Sequence, residues 1–295
     1  MATVSCGGTS ERYRFVQRLS PTVGVKFICA FLGVSRSGYY DWRKRKPSHR
    51  LIEDAELKDL IQKIHDDSEE AYGSPRVFKA LKKQDIAIGR KRVERLMRKL
   101  ELTGRVVQVT RRNPGLKRFL ASGENLRLGK ASPTGIDQVW VADITYLKVG
   151  KRWMYLSVIM DLYSRKIIAW TLDKQRTAEV TKRTLQYALR KRQPKTGLLF
   201  HTDRGIEYRG KVFQKVLEKH EIKHSLNRLG YCTDNAHMES FFHSMKAELI
   251  RGKDYSKEPE LRYDLIRYIN QFYNSKRLHS GIDYNSPVEY ESLAA

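Results

Sequence analysis

Three carboxylates in the sequence stand where solvation alone does not explain them. Asp143 lies inside Val139-Trp140-Val141-Ala142-Asp143-Ile144-Thr145-Tyr146, an apolar strand-like stretch in which a lone acid is costly to bury unless paired or bound to a cation. Asp203 follows the short apolar segment Leu198 to His201 and precedes Arg204-Gly205, so it stands at a strand's exit where a loop can present it. Glu239 belongs to a helix expected to be capped by Asp234. At about 100° per residue, Phe241, Phe242, Met245 and Leu249 form a core stripe on that helix, and Asn235, Glu239, His243 and Lys246 form its margin. Such a margin meets the sheet, so Glu239 can reach a site there while Lys246, two turns on, faces the same groove. Taken singly, each acid is equally readable as salt-bridged or exposed. Together, on separate elements converging on one sheet edge, they offer the oxygen ligands and open room that two hard divalent cations require. Asp161, in Val158-Ile159-Met160-Asp161, competes for such a role, but its hairpin position beside Arg165 predicts a structural one.

The elements that must position these residues follow from periodicity. Gln138 to Val149, Trp153 to Leu162 and Lys166 to Leu172 are apolar, β-branched segments separated by Gly150-Lys151-Arg152 and Tyr163-Ser164-Arg165, a pattern predicting three antiparallel strands. Helix Thr177 to Arg192, strand Leu198 to His201, helix Lys211 to His220 and strand Ile222 to Leu226 come next. Asp234 to Ile250 and Glu260 to Asn274 are then expected as two long C-terminal helices. This order matches a ribonuclease H-like α/β arrangement, a mixed five-stranded sheet with helices on both faces.

The front half is all-α in pattern. Val25 to Leu32, a turn at Gly33-Val34-Ser35 with Ser35 as N-cap, and Arg36 to Lys46 suggest a helix-turn-helix. Leu51 to His65, Ser74 to Lys83 and Arg90 to Leu100 form a second helical group. The density of Arg90, Lys91, Arg92, Arg95, Arg98 and Lys99 predicts a phosphate-contacting helix, since it causes self-repulsion unless a polyanion offsets it. The expected domains are a helical segment over 1–46, a basic helix-turn-helix-like domain over 47–110, a Gly- and Pro-containing linker over 111–133, and a catalytic core with C-terminal helices over 134–295.

Composition agrees. The 295 residues carry 57 Lys and Arg against 33 Asp and Glu, a net charge of +24, with 40% hydrophobic residues. That balance favours a foldable chain with a nucleic-acid partner. No apolar run is long enough for a membrane span, and Met1 to Phe15 lacks a signal-peptide stretch. Three scattered cysteines, Cys6, Cys29 and Cys232, encode neither a disulfide framework nor a zinc ribbon. A soluble, cytoplasmic, nucleoid-associated protein is the expectation. A Ser/His/Asp or Cys/His alternative is weak, because His201 lies two residues from Asp203 and no Gly-x-Ser-x-Gly elbow accompanies it. A DNA-binding regulator with a decayed nuclease-like domain, and a repair nuclease or ribonuclease on the same scaffold, are the other readings.

Several stretches carry a family resemblance: Trp140 to Tyr146, His201-Thr202-Asp203-Arg204-Gly205, Asp234-Asn235-Ala236-His237-Met238-Glu239-Ser240-Phe241-Phe242, and Arg277-Leu278-His279-Ser280 with Ser286-Pro287. Val34 to Tyr40 and Tyr72-Gly73-Ser74-Pro75-Arg76 add the front. In this order, the chain resembles the DDE transposases and integrases, within them the second-frame (OrfB) protein of the IS-three group of bacterial insertion sequences. The family often has Ser, Gln and Leu-Gly where Thr202, Glu207 and Ile282-Asp283 stand. The resemblance implies Asp143, Asp203 and Glu239 as the catalytic, metal-binding triad for two Mg2+ or Mn2+ ions. It also implies nicking of an element's end, then transesterification into double-stranded target DNA. Lys246, Asn235 and the basic helix are the expected DNA contacts. A first-frame (OrfA) fusion partner and a homo-oligomer on DNA are further implied; no heptad repeat stands near the start of this chain.

Overall fold

Periodicity of the apolar residues, 3.6 in the front and 2 in the middle of the chain, is reproduced in the computed structural model, which describes residues 8–105, 123–229 and 231–294, the side chains of Cys232 and Thr233 excepted. The chain divides into two compact units, one over Met1–Asp59 and the other over Leu60–Ala295. Most of the stretch expected as a linker, and Cys6, lie outside the described residues.

In the first unit α1 (Thr9–Leu19), α2 (Val25–Phe31) and α3 (Arg36–Lys44) enclose Tyr13, Val16, Ile28, Cys29, Leu32 and Tyr39. Helix α1 has no counterpart in the sequence pattern, since only Tyr13 and Val16 of its residues are buried, too few for a clear stripe. Ser35 caps α3 as expected, its Oγ accepting from the Gly38 N–H at 3.3 Å. At Gly38 a Cβ would stand 2.3 Å from the Tyr13 hydroxyl, so a side chain there would push the Tyr13 ring aside.

Helix α4 (His49–Asp67) carries the chain into the second unit, where α5 (Ser74–Lys83) and α6 (Arg90–Lys99) pair through Val77, Leu81, Val93, Leu96 and Met97. The sheet follows: β1 (Val139–Val149), β2 (Arg152–Asp161) and β3 (Ile167–Asp173), then α7 (Ala178–Arg192), β4 (Leu199–Thr202), the short α8 (Ile206–Arg209), α9 (Lys211–Lys219) and β5 (Lys223–Leu226). Strand order is β3-β2-β1-β4-β5, antiparallel for the first three strands and parallel for β1-β4-β5. Alternation sends Trp140, Ala142, Ile159 and Phe200 to one face, where Leu185, Ala188, Phe213 and Leu217 of α7 and α9 cover them. Residues 124–127, at the described end of the expected linker, lie along β5: Glu124 accepts from the Leu226 N–H at 3.0 Å, and the Leu126 N–H donates to Ser225 Oγ at 3.0 Å.

The C-terminal part comprises α10 (Ala236–Met245), α11 (Glu258–Ile266) and α12 (Pro287–Leu293). The two long α-helices expected here are not uniform. Helix α10 runs into a π-helical turn over Lys246–Ile250, and α11 into another over Arg267–Tyr273. Wide turns of this kind are invisible to a 3.6-residue pattern. Helix α12, absent from the sequence expectations, opens with a capping box between Ser286 and Glu289. Among the described residues no helix is long and apolar enough to cross a membrane.

Candidate active site

Strands β1 and β4 run parallel with Ala142 opposite Thr202, the last pair of their ladder. Asp143 and Asp203 are each the next residue. Their carboxylates therefore leave neighbouring strands, roughly 4.8 Å apart, at the same level. Each is held by a local N–H: Ile144 donates to Asp143 Oδ1 at 2.7 Å and Gly205 to Asp203 Oδ1 at 2.9 Å. A Cβ at Gly205 would stand 2.6 Å from Glu207 Oε2 and 2.9 Å from Asp203 Oδ1, so a side chain there would displace these carboxylates. Burial, then the Asp203 carboxylate, and with less effect Glu239, push Asp143 up to about 8. Burial raises Asp203 as well. Two acids so placed disfavour carrying both negative charges unless a cation joins them.

Glu239 reaches this edge because α10 is moored to β1. Asn235, 3% exposed, donates its side-chain N–H to the Ala142 carbonyl at 3.0 Å, immediately before Asp143. Four residues on, Glu239 lies on the same side of the helix, one turn along. Asp234 does not cap α10. It accepts from Arg228 at 2.9 Å and from Asn125 at 2.8 Å, and the Arg228 hydrogen bond holds it at about 2. Asn235 occupies the cap position, yet its side chain makes no cap bond, being committed to the strand. Among the described residues no three His, Cys, Asp or Glu side chains form a cluster able to hold a metal ion. Glu239 is thus coupled to Asp143 through its field without closing a triad.

The structure brings in residues that the sequence did not single out for the site. Arg176, in the loop after β3, pairs through Nε with Glu207 Oε1 at 2.6 Å, and Glu207 is buried beside Asp203. Arg176 is the cation whose charge lowers both Asp143 and Asp203 against their burial. Tyr208 is 1% exposed with a hydroxyl that has no hydrogen-bond partner, and burial with Asp143 and Asp203 nearby drives it well above its ordinary value. A lone loop arginine gives no sequence signal; Glu207 gave one, as the departure from the family's Gln. His201 is buried with Nδ1 2.8 Å from Ser225 Oγ, and burial lowers it to about 4, so this pair sits in the core and presents no nucleophile. Asp161 is fully buried and accepts from the N–H groups of Asp137, Tyr163 and Ser164.

The family model described as Integrase core domain matches residues 133–232, a second Integrase core domain model matches 239–293, and the HTH-like domain matches 52–110. The Insertion element IS600 uncharacterized 31 kDa protein of Shigella sonnei is 35% identical over 272 residues, 91% of this chain and 100% of that protein. Transposase InsF for insertion sequence IS3A of Escherichia coli (strain K12) is 32% identical over 287 residues, 95% of this chain and 98% of that one. The chain belongs to the IS3 group of insertion-sequence transposases. Among solved structures, the simian T-cell lymphotropic virus intasome in complex with PP2A regulatory subunit B56 gamma matches over 78% of this chain and 74% of its own, at 14% identity and a TM-score of 0.47.

In this transposase, a polynucleotidyl transferase acting on DNA, the residues expected on the DNA side are differently placed. Asn235, expected as a DNA contact, is buried and moors α10 to β1. Lys246 begins the π-helical turn, half-buried, with Nζ 4.9 Å from the centre of the Tyr146 ring. Three residues of strand and seven of helix both span about 10 Å, so α10 runs alongside β1 from Asp143 and Glu239 to Tyr146 and Lys246. On α6, Arg90, Lys91, Arg98 and Lys99 are exposed, and Arg90 also pairs with Glu94 at 2.9 Å. Arg92 and Arg95 are half-buried, each with an interaction inside the protein.

Proposed function

We propose that Asp143, Asp203 and Glu239 are the catalytic and metal-binding carboxylates of this transposase, and that it cuts an element's end and joins the freed 3′ hydroxyl to a target phosphodiester. The placement of Asp143 and Asp203 at the same level on adjacent parallel strands, with the mooring of α10 at Ala142, carries this reading. The donor set fits a hard divalent cation: it is all carboxylate oxygen, and its two central members are disfavoured as anions by burial. Two Mg2+ or Mn2+ ions, held by the three carboxylates, would supply activation of the attacking oxygen and stabilisation of the leaving one. The chain's own part is to fix the acids. Asn235 sets the height of Glu239, Gly205 leaves room for the Asp203 and Glu207 carboxylates, and Arg176 moderates the repulsion among the acids. No side chain here acts as a covalent nucleophile.

The same reading assigns DNA contacts to Lys246 and to the exposed cations of α6, with 1–46 and 47–110 as helical DNA-binding regions, 111–133 as linker and 134–295 as the catalytic core. Assembly as a homo-oligomer on double-stranded DNA, fusion to a first-frame protein, and a cytoplasmic, nucleoid-associated location complete the proposal. Incubation with labelled element-end DNA and magnesium tests it. Asp143→Asn, Asp203→Asn and Glu239→Gln should each abolish joined strands while leaving end-DNA binding nearly intact, and excess chelator should stop joining by the parent. Near-parental joining by two of the three variants would overturn the triad.

A further inference from the structure

A second polar site lies on a different side of α10, about a third of a turn round from Glu239. A cavity of about 240 Å³ is lined there by Ser240 and Ser244 of the helix and by Arg76, Arg165, Arg277 and His279. Three guanidiniums around one small cavity repel one another, and two acids, Glu248 and Asp161, stand against them. Glu248 accepts two bonds from Arg277, at 2.7 and 2.8 Å, and lies 3.7 Å from Arg76 Nη1. Asp161, the carboxylate whose field reaches Arg165, is already bound by three backbone N–H groups and lies 3.8 Å from Arg192. The lining is therefore left with excess positive charge.

One donor on this wall lacks a partner: Arg165 Nη1 is buried with no hydrogen-bond acceptor. His279 stands beside it, its Nδ1 3.3 Å from Arg277 Nη1. Buried donors without acceptors are rare and costly. Arg165 moreover stands at φ 64°, in the left-handed region that an arginine adopts only when the surroundings impose it. The tight turn between β2 and β3 thus holds an arginine over the cavity at a backbone cost.

We infer that this cavity is a phosphate site, taking one phosphate group against Arg165 and the two serines of α10. Guanidinium forks and hydroxyls are the donors that recognise tetrahedral oxyanions. The group is either a backbone phosphate of a bound DNA strand or a free phosphate that joins the 72–83 helix region, the β2–β3 turn and the C-terminal segment. None of the residues assigned to the carboxylate site lines the cavity, so the two assignments stand or fall separately.

The test uses the full chain and inorganic phosphate, titrated against chloride at constant ionic strength, with the thermal midpoint as readout. Phosphate stabilises proteins generally, so the difference between parent and variants decides. The parent midpoint should climb with saturation; Arg165→Gln should need about tenfold more phosphate, and Arg165→Lys less than that. Ser244→Asp, which places a carboxylate in the cavity, should unfold cooperatively yet lose the saturable response. Asp143→Asn should retain it, which separates this site from the triad. Equal responses in the parent, Arg165→Gln and Ser244→Asp would overturn the inference. Methylphosphonate substitution, one position at a time along end DNA, then identifies the source. One position that weakens binding by the parent and is silent in Arg165→Gln marks a strand phosphate; no such position, with saturable phosphate binding intact, marks a free one.

Discussion

Asp143 carries the main electrostatic burden of the site, and its titration gives a prediction at the scale of one residue. Its folded-state value, about 8, lies above the unfolded value near 4, so the folded protein keeps a proton that the unfolded chain loses between those limits. The contribution to stability is full below pH 4 and falls as pH rises toward 8. In chelator, Asp143→Asn should therefore gain on the parent as pH rises, by up to about 1.4 kcal/mol per pH unit. Urea unfolding of both proteins from pH 5 to 8 measures it, and parallel profiles would contradict the carboxylate proximity. Asn235→Ala leaves the buried Ala142 carbonyl without its donor and should destabilise by about 1–3 kcal/mol. Joining should fall more than end-DNA binding in this variant, because the mooring sets Glu239 and not the DNA surface.

At the scale of elements, the π-helical turn after α10 turns Glu248 inward, where it meets Arg277, Tyr268 and Arg76. Glu248 and Arg277 are both buried and bonded in two-fold fashion, and Tyr268 Oη donates to Glu248 at 2.8 Å. The Tyr72 hydroxyl donates to the Lys276 carbonyl at 3.1 Å and accepts from the Leu278 N–H at 2.9 Å, binding the front of the unit to the same segment. A buried pair of this kind loses about 3–5 kcal/mol when one partner is removed, and much less when both become apolar. Glu248→Met and Arg277→Met should each lower the urea midpoint sharply, and the double variant Glu248→Met with Arg277→Met should recover most of the loss. An additive double variant would show that the two side chains act independently.

At the scale of the molecule, the basic balance of the chain is spent unevenly. Arg76 and Arg277 are internal and Arg105 donates to the Glu248 carbonyl, so deleting the front to residue 130 would strip the second unit of its own internal bonds. The DNA role of the front is better tested by Arg90→Gln, Lys91→Gln, Arg98→Gln and Lys99→Gln together, since all four are exposed on α6. The slope of log affinity for end DNA against log salt should flatten by up to about 3–4, at roughly 0.9 for each phosphate no longer neutralised. An unchanged slope would place the duplex elsewhere.

What the sequence determined alone was the order of the strands and helices that carry the site, because apolar periodicity and turn residues are local properties. Asp143, Asp203 and Glu239 could be picked out as candidates for the same reason: a place inside a strand, at a strand's exit or on a helix margin is a local property, although none of the three is marked as more than an ordinary acid when taken alone. The sequence did not determine which polar residues turn inward. Asn235 looked like a margin residue of α10 and is its mooring; Asp234 looked like a cap and is a partner of Arg228; Arg176 and Tyr208 had no signature at all. Those roles depend on which strand edge meets which helix face. Strand register places Ala142 beside Thr202, and the wide turns after α10 and α11 redirect side chains that a regular helix would have aimed elsewhere. Burial and pairing of charge are set by residues far apart in sequence meeting one another, and only the folded chain brings them together.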